Sequence, residues 1–307
     1  MVISILEPLG IPNKDLVDII EKKIGNKQEI RTFENRCEDE QTLVERSAGA
    51  DIVVLSNIPY RKSVIEKCPQ LKKICVAFTG MDHIDLSYCE ERGIEVKNCA
   101  GYSTVAVADL VFALTLSLAR NIVACDRATR SGQTKNGLIG FELSGKTFGI
   151  IGLGAIGKRV ADLANAFGCK VVAYTRTPRP YQGVELLDMD TVLKISDIVS
   201  IHTPLNDTTR HLIGRDQLAL MKPTALLINT ARGGVVDTNA LVEVLGNHGI
   251  AGAGIDVFDM EPPIPIDYAL LKQKGTLLTP HIAFATQQSF EKRALIIADN
   301  LKNWLCK

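Results

Sequence analysis

The chain has 307 residues, 46% of them hydrophobic, enough to fill the cores of two ordinary domains without metals or disulfides. Lys and Arg total 35 and Asp and Glu total 35, so no overall basic field exists to draw in nucleic acid or an anionic membrane surface. Any phosphate must therefore be gripped locally. In chain order, the first apolar run is VISIL (2–6), which Glu7 and Pro8 interrupt, leaving it too short for a signal peptide. DIVVLS (51–56) and KKICVAF (72–78) follow, and STVAVADLVFALTLSLARNIVACDRATRS (103–131) has no Pro or Gly and the apolar period of one long helix. A second series contains TFGIIGL (147–153), KVVAYT (170–175), DIVSIH (197–202), ALLINT (225–230), GAGIDV (252–257) and TLLTPH (276–281). The last segment, QQSFEKRALIIADNLKNWLCK, is helical in period, and periodicity leaves open which domain it joins.

Continuous rather than alternating apolarity predicts strands buried on both faces, hence parallel sheets covered by helices in an α/β protein. The long helix would link a βα unit ending near residue 100 to another beginning near residue 145. The eight cysteines (Cys37, Cys68, Cys75, Cys89, Cys99, Cys125, Cys169 and Cys306) are scattered singly with no CxxC pair, which argues against a metal site or a disulfide framework. No stretch is long enough to span a bilayer. A cytoplasmic protein with reduced thiols and no nucleic-acid or membrane partner is expected.

The segment GIIGLGAIGKRVADLANAFGCKVVAYT places Gly152, Gly154 and Gly157 in G-x-G-x-x-G spacing, directly after a strand and opening a helix. The bare motif is weak, but strand, loop, helix and second strand together form a dinucleotide fingerprint. Gly152 would permit the tight turn, Gly154 the approach of backbone to pyrophosphate, and Gly157 the packing of helix on sheet. The helix N-terminus would then face the phosphates. The second strand ends in YTRTPRP (174–180), where an NAD-binding fold usually carries a carboxylate for the ribose hydroxyls. Here Thr175 offers a hydroxyl, Arg176 can pair with a 2′-phosphate, and Thr177 adds a donor, with Arg179 close behind. NADP(H) is therefore the expected coenzyme, with NAD(H) as the lesser one. The bland alternative is that Arg176 and Arg179 are solvated surface charges.

Three further stretches carry a charged or titratable side chain near a predicted strand end: Arg232 in ALLINTARGGVVD, Asp256 and Glu261 in GAGIDVFDMEPP, and His281 in LLTPHIAFAT. Each alone has an ordinary explanation, as an ion pair, a solvated turn residue or a packed loop histidine. Beside a nucleotide loop they form a hydride-transfer set. Reduction of a 2-oxo acid needs a hydride, a cation for the carboxylate, and a proton for the developing alkoxide. The guanidinium of Arg232 matches a carboxylate with its planar fork, an imidazole titrates near neutral pH, and a neighbouring carboxylate favours the protonated ring.

At this point the sequence resembles the D-isomer specific 2-hydroxyacid dehydrogenases, in the glyoxylate/hydroxypyruvate reductase and phosphoglycerate dehydrogenase-like branch. The resemblance covers nearly the whole chain and rests on MDHIDLSYCEERGIEVKNCAGYSTVAVAD, ELSGKTFGIIGLGAIGKRV, HTPLNDTTRHLI, INTARGGVVDTNAL, GIDVFDMEP and LTPHIAFAT. It implies two doubly wound parallel-sheet domains: a Rossmann nucleotide-binding domain over 100–284, and a flavodoxin-like substrate-binding domain from 1–99 and 285–307. It further implies that Arg232, Glu261 and His281 are the catalytic trio, and that Phe78, Thr79 and Gly80 form a substrate loop whose Thr79 and Gly80 N–H groups help hold the carboxylate. Cofactor contacts are implied for Thr104, Ala155, Ile156, Pro204, Thr209, Thr230 and Ala231, with Asp256 near the nicotinamide carboxamide. Two linking helices would form a hinge, and a homodimer would assemble through the nucleotide domain.

Four features depart from the family pattern. Phe78 stands where many relatives have glycine, Phe284 where a small residue is common, Val105 replaces a frequent glutamate, and SGQTKNGLIGFEL lacks the tryptophan often found in the dimer arm. Two other readings stay open: a nucleotide-sensing corepressor on the same fold, and a phosphite-type dehydrogenase. The expected activity is NADP(H)-preferring reduction of a small 2-oxo acid to the D-2-hydroxy acid, with His281 as general acid/base.

Overall fold

The computed structural model describes residues 1–305; Cys306, among the expected thiols, lies outside them. The chain divides into two compact units, one made of Met1–Ser103 together with the chain from Ala285 onward, the other of Thr104–Phe284.

The first unit carries strands β1 (Val2–Ile5), β2 (Glu29–Thr32), β3 (Ile52–Leu55), β4 (Lys73–Val76) and β5 (Glu95–Asn98) in the order β2-β1-β3-β4-β5. All their pairings are parallel, and the order is that of a flavodoxin-like sheet. Helices α1 (Asn13–Ile24), α2 (Glu40–Ser47), α3 (Lys62–Ile65) and α4 (Leu86–Glu91) supply the crossovers. The central strand β3, IVVL, is buried at every residue, as its unbroken apolarity requires. The outermost strands, EIRT in β2 and EVKN in β5, are no more than half-buried and carry charge, which is how a sheet edge is kept from pairing with other chains.

The second unit begins with α5 (Thr104–Ala119) and α6 (Ile122–Arg130). The single helix expected over 103–131 is thus two helices, bent by 57°. The break falls at Asn121, whose φ of 54° lies in the left-handed region that ends a helix. A returning segment covers the end of α5: the Phe141 N–H donates to the Ala119 carbonyl at 2.9 Å. Downstream, α5 is largely buried and packs on strands of this unit, whereas α6 has no buried residue. No single helix among the described residues is long and apolar enough to cross a membrane.

Seven parallel strands follow: β6 (Thr147–Ile151), β7 (Lys170–Tyr174), β8 (Glu185–Leu186), β9 (Ile198–Ile201), β10 (Leu226–Asn229), β11 (Gly252–Ile255) and β12 (Thr276–Leu278). Their order is β12-β11-β10-β9-β6-β7-β8, the doubly wound arrangement of a Rossmann domain with its switch point between β6 and β9. On one face lie α5 and α7 (Ala155–Ala166), burying Val111, Phe112, Val160 and Ala164 against Phe148, Ile150 and Ile228. On the other lie α8 (Met189–Ile195), α9 (Arg215–Leu220) and α10 (Thr238–Gly246), closing over Ile151, Val199, Leu227 and Ile255. The final helix, α11 (Gln287–Leu305), belongs to the first unit, where it packs on α1 and β4. Both units are therefore parallel-sheet α/β domains, as expected from the continuous apolar runs.

Candidate active site

Two of the three motif glycines at the β6–α7 junction have a steric reason. Gly152 has φ of 103°, and a Cβ there would sit 2.8 Å from the His202 carbonyl oxygen across the switch point. A Cβ on Gly157 would collide with the Gly152 carbonyl oxygen and stand 3.3 Å from Ile150 Cγ2, so only glycine lets α7 lie this close. Gly154, the N-cap of α7, faces open space within 4 Å and has no side-chain cap. With Ala155 and Ile156 forming the first turn, the helix start presents uncapped N–H groups to whatever fills that space.

The loops after β9 and β10 also hold buried hydroxyls suited to a ligand. Thr203 Oγ1, after β9, and Thr230 Oγ1, after β10, are buried and have no hydrogen-bond partner among the described residues. Unsatisfied buried hydroxyls cost free energy, so these two, in a domain whose α7 starts uncapped, fit a polar, anionic group such as a dinucleotide. In the same loops, Thr209 Oγ1 donates to the Pro204 carbonyl at 2.6 Å and accepts from Asn206 N–H at 2.9 Å, and Ala231 N–H donates to Asn229 Oδ1 at 3.0 Å. Thr203 was not anticipated from sequence; its position directly after the apolar run of β9 was the available signal. Thr104 is the first residue of α5, which packs along α7 and β10 to β12.

At the end of β7, Tyr174, Thr175, Arg176, Leu186 and Asp188 line a crevice of about 450 Å³. Arg176, Thr177 and Arg179 are exposed, and neither arginine has a carboxylate partner among the described residues. The one acid of the crevice, Asp188, is committed elsewhere: it accepts from Thr191 N–H at 2.9 Å and Thr191 Oγ1 at 2.6 Å, capping α8. Those bonds, led by the hydroxyl, hold the Asp188 carboxyl below its ordinary pKa.

The candidate catalytic side chains Arg232, Glu261 and His281 follow the C-terminal ends of three adjacent strands, β10, β11 and β12. His281 Nδ1 is 2.8 Å from Glu261 Oε2; the imidazole side chain is 9% exposed and the carboxylate 43%. Arg232 follows β10, and its Nη1 donates to the Ala231 carbonyl at 2.8 Å. The next residue, Gly233, is in such close contact with the Phe258 carbonyl that no side chain would fit, which presses the arginine loop against the loop carrying Glu261. That second loop is itself tied down, since Asp259 Oδ2 accepts from Thr238 Oγ1 at 2.7 Å and Tyr268 Oη at 3.0 Å.

His281 has φ of 55°, a left-handed conformation that costs a non-glycine residue about 1–3 kcal/mol. Fully buried Asp256 holds it there. Its carbonyl accepts from His281 N–H at 2.8 Å, Oδ1 accepts from Thr279 Oγ1 at 2.6 Å and Ile282 N–H at 2.8 Å, and Oδ2 accepts from Ala283 N–H at 2.9 Å. Phe284 meets the His281 ring edge-on, with centroids 5.4 Å apart and planes at 88°. Sequence reasoning placed Asp256 at the site without its partners and passed over Thr279, a hydroxyl two residues before the histidine. Phe78, Thr79 and Gly80 lie in the other unit, immediately beyond β4.

A glycine-loop Rossmann domain with a histidine–carboxylate pair and an arginine at neighbouring strand ends defines a nicotinamide-dependent oxidoreductase. Residues 112–283 match the family model described as "D-isomer specific 2-hydroxyacid dehydrogenase, NAD binding domain". The chain is 44% identical over 272 residues to a glyoxylate reductase of Thermococcus litoralis, covering 84% of this chain and 82% of that one. It is 37% identical over 279 residues to a hydroxypyruvate reductase of Thermotoga maritima, covering 90% and 91%. Among solved structures, an acyclic imino acid reductase in complex with NADPH and D-Arg superposes with a TM-score of 0.91 at 32% identity, covering 100% of this chain and 97% of that one. The chain belongs to the D-isomer specific 2-hydroxyacid dehydrogenase family and is an NAD(P)-dependent oxidoreductase.

Proposed function

We propose that the protein reduces a small 2-oxo acid of the glyoxylate or hydroxypyruvate type to the D-2-hydroxy acid, preferring NADPH to NADH. The observation that carries this reading is the 2.8 Å pair of His281 Nδ1 and Glu261 Oε2, which joins the chain beyond β12 to that beyond β11, the strand beside β10, which Arg232 follows. Relatives named glyoxylate reductase and hydroxypyruvate reductase support the substrate class. The reduced nicotinamide, when bound, supplies the hydride to the carbonyl carbon. It would be held by the Gly152–Gly157 loop, Ala155, Ile156, Pro204, Thr209, Thr230 and Ala231, with Thr104 and Asp256 on the nicotinamide side. Arg232 takes the substrate carboxylate, with the Thr79 and Gly80 N–H groups as further donors. Because Nδ1 of His281 is engaged by Glu261, Nε2 is the nitrogen that delivers the proton to the carbonyl oxygen. The hydride and that proton together account for both hydrogens of the product.

Coenzyme choice rests on the crevice at β7. Among the described residues Arg176 has no carboxylate partner, and Asp188 is occupied in capping α8, so the crevice favours a 2′-phosphate. NADPH in the superposed imino acid reductase supports this choice. We take the protein to act as a cytoplasmic homodimer; Ile122, 52% exposed, and Ile139, 88% exposed, support an apolar contact surface on the nucleotide-binding unit.

The test is a panel of 2-oxo acids assayed with both reduced nicotinamides, on wild type and Arg176→Ala. Loss of one charge-assisted phosphate contact, about 1.5–3 kcal/mol, should lower the ratio of kcat/KM for NADPH over NADH by roughly 10- to 150-fold. An unchanged ratio removes Arg176 from the coenzyme site. Coenzyme binding without turnover of any 2-oxo acid would leave the corepressor-like reading.

A further inference from the structure

We propose that Asn98 and Arg293 are positioning residues for the 2-oxo acid: they fix the peptide planes of the loop 77–80 so that the Thr79 and Gly80 N–H groups are preset for the substrate carboxylate. The inference rests on the function proposed above.

Three consecutive carbonyls of this loop are tied to the scaffold. The Ala77 carbonyl accepts from Arg293 Nη1 at 3.1 Å, the Phe78 carbonyl from Cys99 N–H at 3.0 Å, and the Thr79 carbonyl from Asn98 Nδ2 at 2.7 Å. A trans peptide is planar, so anchoring a carbonyl also sets the opposed N–H of the next residue. The bond to the Phe78 carbonyl thereby orients the Thr79 N–H, and the Asn98 bond orients the Gly80 N–H. No acceptor among the described residues takes either of these two N–H groups. Asn98 is itself held, because its Oδ1 accepts from Ala100 N–H at 3.3 Å.

Arg293 fixes the root of the loop. It is 3% exposed on α11, and its guanidinium also donates to Ser56 Oγ at 3.3 Å and to the Leu9 carbonyl, so it joins the chain beyond β1, β3 and β4. Tyr102 and Phe290 enclose it, with ring centroids 5.5 and 4.9 Å from Cζ. A buried guanidinium is costly to desolvate, and an apolar residue of similar size would stabilise a purely structural helix contact as well or better. A fork that locks separate strand-end segments is what such a residue supplies and an apolar one does not.

Steady-state kinetics on Asn98→Asp and Arg293→Lys, with calorimetric binding of oxamate, a non-reacting 2-oxo acid analogue, to the NADH- or NADPH-loaded protein, test the proposal. Asn98→Asp keeps the acceptor for Ala100 and loses the donor to Thr79; Arg293→Lys keeps the charge and loses the fork. Both should raise KM for the 2-oxo acid and Kd for oxamate roughly 10-fold or more, since misplacement of binding groups by about 1 Å is enough for such losses. The coenzyme KM should stay within about twofold. A purely structural role would lower Tm and leave the KM of the folded fraction unchanged, and that result would overturn the proposal. Should Arg293→Lys fail to fold, the half-buried Asn98 decides alone. A wild type that neither turns over 2-oxo acids nor binds oxamate would instead overturn the proposed function.

Discussion

Replacing Asp256 by Asn tests whether this carboxylate holds His281 in place. The side chain is fully buried, with Oδ1 accepting two hydrogen bonds and Oδ2 one. Asparagine retains one acceptor oxygen and turns an NH2 group toward an N–H. If that donor is Ala283 N–H, one charge-assisted bond of about 1.5–3 kcal/mol disappears, and a buried N–H is left without an acceptor at a further cost of about 1–3 kcal/mol. The two remaining bonds lose their ionic character. A total of roughly 3–5 kcal/mol is a large part of a typical domain stability of about 5–15 kcal/mol. For a unit of this size it corresponds to a fall in Tm of about 6–20 °C. The same change releases the left-handed backbone at His281, so kcat should fall by roughly 10²-fold even in the folded fraction, as expected when a reacting group is misplaced. Differential scanning calorimetry and initial-rate kinetics well below the variant Tm measure the two effects separately. A Tm within about 2 °C of wild type, with kcat within about threefold, would refute the reasoning, because the loop would then hold His281 without the carboxylate.

His281→Ala should lower kcat by roughly 10²- to 10⁴-fold while leaving coenzyme binding intact, and a change of only a few-fold would remove His281 as the general acid. Acidification should destabilise the fold through His202, a half-buried residue whose ring lies 2.9 Å from Ser200 Oγ and whose pKa desolvation pushes down to about 3. The unfolded chain, with an imidazole pKa of about 6.5, binds the proton more tightly than the native state. This stability is therefore complete above about pH 6.5 and falls by up to about 1.4 kcal/mol per unit as pH drops toward 3, about 2 kcal/mol at pH 5. Urea midpoints between pH 7 and pH 5 should show that slope in wild type and a shallower one in His202→Gln; equal slopes would assign the acid sensitivity elsewhere.

Where an element lies at the centre of a sheet, its sequence declares it. IVVL, LLIN and GAGI are buried on both faces and read as strands without further information. The edge strands β2, β5 and β8 escaped notice because an edge is wetted on one side and charged, so EIRT, EVKN and EL carry no apolar signature. The break at Asn121 escaped for a different reason: the apolar period runs on past it, and the turn depends on one left-handed residue and on the chain returning at Phe141 to cover the end of α5.

The types of candidate site residue and their spacing from strand ends are written in the sequence, because a glycine loop, an arginine, a glutamate and a histidine each announce their chemistry by composition. Which strands stand side by side is not, since β10, β11 and β12 are joined by long crossovers and become neighbours only when the sheet assembles. Asp256 shows the difference most directly. Sequence makes it a carboxylate near a site; only the folded loop gives its two oxygens to Thr279, Ile282 and Ala283, since those donors come from another strand's end some two dozen residues away.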